Sequence, residues 1–354
     1  MKKLIDIPEG TDVVELRKKI NKILSESRNL AKPGKCILCG KEQTSFCNSH
    51  SVPQLVLRNI ADNGKVLHAS ALLGIDVVDI EKGVKNSGTF FYICNSCDGL
   101  FFKDYEDEQN LKLKISDKML AEIAVKDFLL LLSKRTQEEE LHKLLQRQFN
   151  AYSNPEDLAG ITGLDVRDFN EELQFHKEIA DNNLNGGYQI LFSKLLPYKV
   201  PIALQSAIAL PEDLEGNEIN NIFDMSESVR MQFMHLAIFP LQEESVILAY
   251  YHKRDKLYRK LRHQINGTSE QRTLQFLNYI IFTYTENYFI SKTIKEIVES
   301  DEKLSLLGQE NNGNPNLGFL GPDNYFGLSY QPVKMDEIPN FLSSQWALTP
   351  EKMI

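Results

Sequence analysis

Two cysteine pairs of the form Cys-x-x-Cys place the strongest limit on how this chain can fold. Cys36 pairs with Cys39 and Cys94 pairs with Cys97, which uses four of the five cysteines in 354 residues. Each pair can turn two thiolates toward one ion, and four sulfur ligands complete the tetrahedral shell of structural zinc. We therefore predict one structural zinc site with these four ligands. A disulfide framework is the weaker alternative, because the chain is long and poor in cysteine.

The fifth cysteine, Cys47, has two interpretations. We expect it to be a small, buried apolar residue, which is the common environment of a free cysteine. Together with His50 it also forms a Cys-x-x-His spacing, so it could compete for the metal ion.

The N-terminus and the apolar stretches indicate a cytoplasmic protein without a membrane segment. Lys2 and Lys3 are followed at once by Asp6, Pro8 and Glu9, so the apolar centre of a secretory signal is missing. Every apolar stretch is interrupted well before the ~18 residues that suggest a membrane helix. A reducing compartment also agrees with cysteines that bind metal.

The charge of the chain is distributed unevenly. The net charge is -9, but residues 1–115 contain 17 Lys and Arg against 15 Asp and Glu. The remainder contains 23 basic against 34 acidic residues. The cysteine-containing part can therefore approach phosphate groups, although its small positive charge does not by itself demand a nucleic-acid partner.

The hydrophobic pattern predicts an α+β fold with two domains and a tail. Residues 12–30 and 116–150 carry apolar side chains at helical spacing, the latter as one helix or two. Strand-like runs occur in 198–210 and 232–252, whereas 255–299 looks mostly helical. We expect a cysteine-containing domain with flanking helices (1–150), a mixed α/β domain (151–308) and an irregular tail (309–354).

The order of the motifs resembles that of one family of nucleases. Cys36-Ile-Leu-Cys39 is followed by Ser49-His50-Ser51-Val52-Pro53 and then by Cys94-Asn-Ser-Cys97-Asp98. This order is similar to that of the zinc-stapled branch of the HNH endonuclease family, whose ββα-metal fold is related to treble-clef zinc fingers. The resemblance covers residues 36–108. It implies a treble-clef-like ββα-metal zinc unit in the N-terminal domain.

The resemblance also implies roles for individual residues. His50, at the His-x-x-Pro position, would be the general base that takes a proton from the attacking water. A magnesium or manganese ion would contact the scissile phosphate, with Asp98 and Glu106 as its candidate ligands. If the segment between them is helical, the eight-residue spacing places both carboxylates on roughly one side. Arg58 and Lys65 would hold phosphates.

The sequence therefore predicts an HNH-like endonuclease with DNA as the first expected substrate and RNA as the second. Zinc would stabilise the fold, and magnesium or manganese would act in catalysis. The acidic second domain would bind a protein partner or regulate the nuclease, as in a bacterial system of phage defence, which is an inference by analogy.

Two other classes of function are alternatives. The first is a noncatalytic treble-clef protein that binds nucleic acid or a protein, since the middle asparagine and the final histidine of the HNH pattern have no match here. The second is an enzyme whose site lies wholly in the second domain, which requires convergent polar groups there. We interpret His235, His252 and His263 as ordinary core or surface histidines.

Overall fold

The computed structural model describes residues 13–68, 82–149, 155–221, 224, 226, 228–304, 306–307 and 333–349. The helices in these ranges are α1 (Val13–Leu30), α2 (Gln54–Ile60), α3 (Asn95–Phe101), α4 (Glu108–Lys112), α5 (Asp117–Phe149), α6 (Pro155–Asp181), α7 (Tyr258–Asn266), α8 (Glu270–Tyr284) and α9 (Lys295–Ser300). The strands are β1 (Ser49–His50), β2 (Lys65–His68), β3 (Lys82–Gly83), β4 (Thr89–Phe90), β5 (Tyr188–Leu196), β6 (Ile202–Ile208), β7 (Met234–Pro240), β8 (Ser245–His252) and β9 (Tyr288–Ile290). The predicted α+β class is confirmed.

The described strands other than β1 and β4 form one antiparallel sheet with the order β3-β2-β9-β6-β7-β8-β5. The strand-like runs predicted within 232–252 form β7 and β8, and the backbone N–H of Leu241 donates to the carbonyl of Glu244 in the turn between them. Every residue of β6, β7 and β8 is buried. Strands buried on both faces have continuous apolar runs, which explains why these segments do not alternate with polar residues.

The two faces of the sheet belong to two cores. Along β7, Ala237 and Phe239 pack with α5 and α6, whereas Leu236 and Ile238 pack with α7 and α8. This alternation follows from the two-residue period of a strand. The result is a sheet between two layers of helices, each of which buries a stripe of apolar side chains.

The cysteine-containing region contains an antiparallel pair of short strands, and a helix follows the second strand. Strand β1 pairs with β4, so that Ser49 lies opposite Phe90 and His50 opposite Thr89. Helix α3 begins directly after Cys94, and its partner Cys97 lies in the first turn. Helix α2 and strands β2 and β3 lie between β1 and β4 in the chain, and α3 follows β4. We call residues 35–112 the zinc unit below.

The sheet and the first core include residues from both sides of the boundary that the sequence predicts at residue 150. Strand β2, from the zinc unit, pairs with β9 through Leu67 opposite Ile290. Helix α2 contacts β6 and β7, and its Val56 and Leu57 are fully buried in the same core as Phe239. The zinc unit is thus attached to the large sheet by both hydrogen bonds and apolar contact.

Of the two alternatives for residues 116–150, the structure has one helix, α5 (Asp117–Phe149). The region predicted as mostly helical differs in one detail, because it also contains β9 between α8 and α9. Most of the predicted tail lies outside the described residues. Its part at 333–349 contains two 3₁₀ turns, and the Trp346 ring packs 5.0 Å from that of buried Phe341.

Among the helices that the structure describes, none has the length and apolar character that crossing a membrane requires.

Candidate functional site

The four predicted zinc ligands lie together. Their sulfur atoms are all within 4.8 Å of one another in a cluster of Cys36, Cys39, Cys94 and Cys97. Tetrahedral zinc with sulfur ligands at about 2.3 Å requires sulfur separations of about 3.8 Å. The four-cysteine cluster can therefore bind a structural metal ion such as zinc.

The backbone around the four-cysteine cluster prepares it for a cation. The first pair lies in a tight turn in which the Gly40 N–H donates to the carbonyl of Cys36, with Gly40 at a φ of +69°. Burial raises the pKa of the Cys36 thiol, but hydrogen bonds from the backbone N–H groups of Cys39 and Cys94 outweigh burial and lower it to about 7. A thiol with this pKa supplies the thiolate that metal binding needs near neutral pH.

Cys47 is not part of this cluster, and it is half-buried rather than fully buried. Its Sγ donates to Asp98 Oδ2 at 3.3 Å. Burial and the Asp98 charge raise its pKa to about 12. Cys47 is therefore a neutral thiol, and its role is to donate a hydrogen bond to a carboxylate.

His50 is half-buried at the end of β1, and one hydrogen bond determines which ring nitrogen carries its proton. His50 Nε2 lies 2.9 Å from the carbonyl oxygen of Val84. A carbonyl can only accept, so Nε2 donates and a neutral ring keeps the lone pair on Nδ1. Burial lowers the pKa of His50, and the hydrogen bond with Val84 raises it. Burial has the larger effect, so the pKa of His50 lies below its ordinary value of 6.5. The geometry makes His50 a neutral proton acceptor at physiological pH.

Asp98 and Glu106 meet at one ammonium group. Lys126 Nζ, from α5, donates a hydrogen bond to Glu106 Oε1 and lies 3.6 Å from Asp98 Oδ1. Asp98 also accepts from the Ser49 hydroxyl at 2.5 Å. Burial raises the pKa of Asp98, but the Lys126 charge and the Ser49 hydrogen bond outweigh it and hold this pKa below its ordinary value. The site therefore contains two carboxylates and a cation that the protein itself supplies.

The path of the chain between these carboxylates differs from the prediction. Helix α3 ends at Phe101, so Asp98 and Glu106 do not share one helical face. The Glu106 N–H donates to the carbonyl of Phe102 in a turn that precedes α4. The two side chains converge because both reach Lys126 on a different helix.

Magnesium and manganese do not fit the arrangement that Asp98 and Glu106 adopt. A magnesium ion needs oxygen ligands at about 2.0–2.1 Å in an octahedral shell that usually keeps several waters. The ammonium of Lys126 is within ion-pairing reach of both carboxylates, and the Lys126 side chain is only 1% exposed. A divalent cation bound to both carboxylates would lie next to a buried positive charge.

The predicted phosphate-binding residues lie on nearby elements. Arg58 is exposed on α2 and donates to Gln54 Oε1 at 2.7 Å, whereas exposed Lys65 begins β2. The β2–β3 pair places Lys82 opposite Val66, and Lys85 follows in the turn that also contains Val84. Lys82 and Lys85 were not predicted, because only the pairing of the strands brings them to the edge beside His50.

A second polar cluster lies between α5, α6 and the sheet. His235 Nδ1 is 2.7 Å from Asp127 Oδ2, and His176 Nδ1 is 2.6 Å from the Tyr188 hydroxyl. Glu172 forms ion pairs with two arginines at the outer end of this cluster, Arg230 and Arg254. His176 and His235 are each 1% exposed, so a substrate cannot reach them. These polar groups converge, but they form a hydrogen-bonded part of the core.

No protein-family model, curated protein or solved structure matches this chain. What the His50 site does must therefore follow from its own geometry.

Proposed function

We propose that the chain is an HNH-like endonuclease that hydrolyses phosphodiester bonds, with DNA as the first expected substrate and RNA as the second. The hydrogen bond from His50 Nε2 to Val84 carries this proposal, because it leaves Nδ1 as a proton acceptor in a half-buried, neutral ring. A fixed tautomer with a lowered pKa is what a general base requires near neutral pH.

In the proposed reaction, the oxygen of a water molecule forms a bond to the phosphorus atom while its proton moves to His50 Nδ1. The bond from phosphorus to one ester oxygen then breaks, and that oxygen takes a proton from solvent. Exposed lysines on the neighbouring edge, Lys65, Lys82 and Lys85, would contact backbone phosphates and position the strand. Zinc in the four-cysteine cluster would hold the β1–β4 strand pair against α3.

A second candidate is a noncatalytic zinc unit that binds nucleic acid or a protein. The observation that favours it is the ion pairing of Asp98 and Glu106 with Lys126, which occupies both carboxylates. This candidate predicts binding at the lysine edge without cleavage.

Cleavage assays distinguish the two candidates. Purified full-length protein is incubated with plasmid DNA, single-stranded DNA and RNA, each with and without magnesium or manganese. We expect His50→Ala to lower the cleavage rate about 100-fold or more. The matched control is His263→Ala, which removes an exposed histidine from α7 and should leave the rate unchanged.

Equal zinc content in all variants shows that the loss is chemical rather than structural. Equal cleavage by wild type and His50→Ala contradicts the proposed role of His50. Binding without cleavage by the wild type supports the second candidate.

The zinc site is tested by metal analysis of cysteine variants. We expect one zinc ion per chain in the wild type and in Cys47→Ser. Cys97→Ser should lose most of the metal, because three ligands do not close the structural shell. A zinc content that falls equally in both variants contradicts the assignment of ligands.

A further inference from the structure

Lys126 is a buried lysine with an unusual set of neighbours. Its side chain is 1% exposed, and lysines are almost never buried to this extent unless they are paired. Its ammonium pairs with Glu106 and Asp98 and lies 4.0 Å from the centre of the Phe102 ring. A π face and two carboxylates on the zinc unit thus enclose a cation that comes from α5.

This enclosure uses the oxygen atoms that a divalent cation would need. Asp98 Oδ1 accepts from Ser49 and faces Lys126, while Asp98 Oδ2 accepts from Cys47. Glu106 Oε1 accepts from Lys126. To bind both carboxylates, a metal ion would have to displace the ammonium or tolerate its charge at short range in a poorly solvated site.

The same cation lies close enough to act on His50. The charges of Lys126, Asp98 and Glu106 all act on the imidazole ring. With two carboxylates and one ammonium, the positive charge that a metal would otherwise bring is already part of the site.

From this geometry we infer that Lys126 holds the cation position of the His50 site, so that the wild-type chain binds neither magnesium nor manganese at Asp98 and Glu106, and hydrolysis at His50 needs neither ion. The inference about hydrolysis rests on the proposed function, whereas the inference about binding does not. Lys126 is a positioning residue: it is too buried to contact a phosphate, and it acts by orienting Asp98 and by its charge. Ser49 and Cys47 complete the set of donors to Asp98.

Manganese binding tests the inference directly. Zinc-loaded full-length protein is titrated with manganese, and free manganese is measured by electron paramagnetic resonance. The wild type should show no manganese site that depends on Asp98. Lys126→Met removes the charge but keeps an unbranched apolar chain beside Phe102, and it should bind one manganese ion at least about tenfold more tightly than the wild type. Lys126→Arg keeps a positive charge and should behave as the wild type.

Two controls assign the new site. Adding Asp98→Asn to Lys126→Met should abolish manganese binding. Asp98→Asn alone should leave the manganese binding of the wild type unchanged. Manganese that binds the wild type and is lost in Asp98→Asn overturns the inference, as does a folded Lys126→Met that binds no manganese. The comparison of manganese binding by the wild type and by Asp98→Asn alone decides the inference even if Lys126→Met does not fold.

The metal requirement of cleavage is a separate measurement. Protein that contains one zinc ion and no other metal should cleave at a rate that changes less than about twofold when magnesium or manganese is added, since neither ion has a place at the site. Cleavage that appears only with added magnesium or manganese overturns this part. If the wild type cleaves nothing under any condition, the proposed function fails, while the manganese titration still decides the role of Lys126.

Discussion

At His50, burial and a single hydrogen bond determine how the rate should depend on pH. Burial lowers the pKa of His50, the Val84 hydrogen bond opposes this, and the Lys126 charge lowers it further. A general base must be neutral, so the rate falls as pH drops through the lowered pKa and not before. We predict that a plot of kcat/KM against pH has its acidic midpoint below pH 6.5. The measurement uses one DNA substrate of fixed length in buffers of constant ionic strength.

Removing the Lys126 charge should move that midpoint upward, because a positive neighbour disfavours a protonated ring. Lys126→Met is therefore expected to shift the profile toward higher pH, and Lys126→Arg is not. A wild-type midpoint at or above 6.5 contradicts the arrangement around His50.

Among the glycines that the structure describes, Gly88 is the position where one added methyl group should destabilise the fold most. Its φ is +60°, and a Cβ atom there would lie 2.3 Å from Phe289 Cζ and 2.7 Å from Ser51 Oγ. Gly88→Ala therefore combines backbone strain with a clash against a buried ring, and we predict a loss of at least about 2 kcal/mol of unfolding free energy. Urea denaturation measures it.

The matched control for Gly88 is Gly99 in α3, where an added Cβ meets no atom within 4 Å. Gly99→Ala should be neutral or should stabilise the chain by up to about 1 kcal/mol, because alanine favours a helix. Equal destabilisation by both substitutions would show that the close approach of Phe289 to Gly88 is not the cause of the loss of unfolding free energy in Gly88→Ala.

Single residues were predictable from sequence where local spacing determines their chemistry. The four-cysteine cluster follows from two Cys-x-x-Cys motifs, whose members are neighbours in the chain. Lys126 could not be predicted in the same way, because it reaches Asp98 only through the packing of α5 against the zinc unit. In the sequence it is one lysine within an amphipathic helix.

At the scale of elements, helix α5 shows that an acidic run need not end a helix. Glu138 and Glu140, in the acidic run within α5, pair with Arg135 and Lys143 one turn away on the same helix. Such pairs support a helix. Strand β9 was missed for another reason: its three apolar residues are too few to show a period, and only pairing with β2 and β6 makes them a strand.

The contact between α5 and β7 depends on the buried pair Asp127 and His235. Both side chains are at most 2% exposed and lie 2.7 Å apart. Removing either partner leaves the other buried without its hydrogen bond, so we predict that Asp127→Ala and His235→Ala each lower the unfolding free energy by about 3–5 kcal/mol. The double variant should cost less than the sum by about 1 kcal/mol or more.

An exposed pair on α6 serves as the control for that cycle. Lys177 and Asp181 are 2.5 Å apart, but Asp181 is 45% exposed. Asp181→Ala should change the unfolding free energy by about 1 kcal/mol or less. Strict additivity of Asp127→Ala and His235→Ala would contradict a direct interaction across the α5–β7 contact.

At the scale of the whole molecule, the sheet could not be derived from the sequence. The continuous apolar runs of β7 and β8 indicate buried strands, but nothing in the sequence specifies that β2 from the zinc unit pairs with β9 more than 200 residues later. A partner at that separation is selected by the complete core rather than by any local pattern. The predicted boundary at residue 150 rests on a change of composition, and neither the sheet nor the first core is interrupted there.

Three histidines with pKa values lowered by folding should make the stability of the whole molecule sensitive to acid. Burial lowers the pKa of His68 and of His176 to about 3, and that of His252 to about 4. In the unfolded chain these groups take up protons near 6.5, so below this pH the unfolded state binds more protons and folding becomes less favourable. Each histidine should reduce the unfolding free energy by about 1.4 kcal/mol per pH unit below about 6.5 until its folded pKa is reached.

His68 offers the variant that tests this prediction, because its ring stacks on Phe289 at 4.6 Å and its Nε2 is buried without a hydrogen-bond partner among the described residues. His68→Phe keeps the stacking and removes the titrating group. Urea denaturation between pH 8 and pH 5 should show a flat region above pH 7, a decline below it, and a slope that is shallower in His68→Phe by about 1.4 kcal/mol per pH unit. Acid release of zinc affects both proteins equally. Identical slopes would therefore mean that His68 takes up its proton as readily in the folded chain as in the unfolded chain.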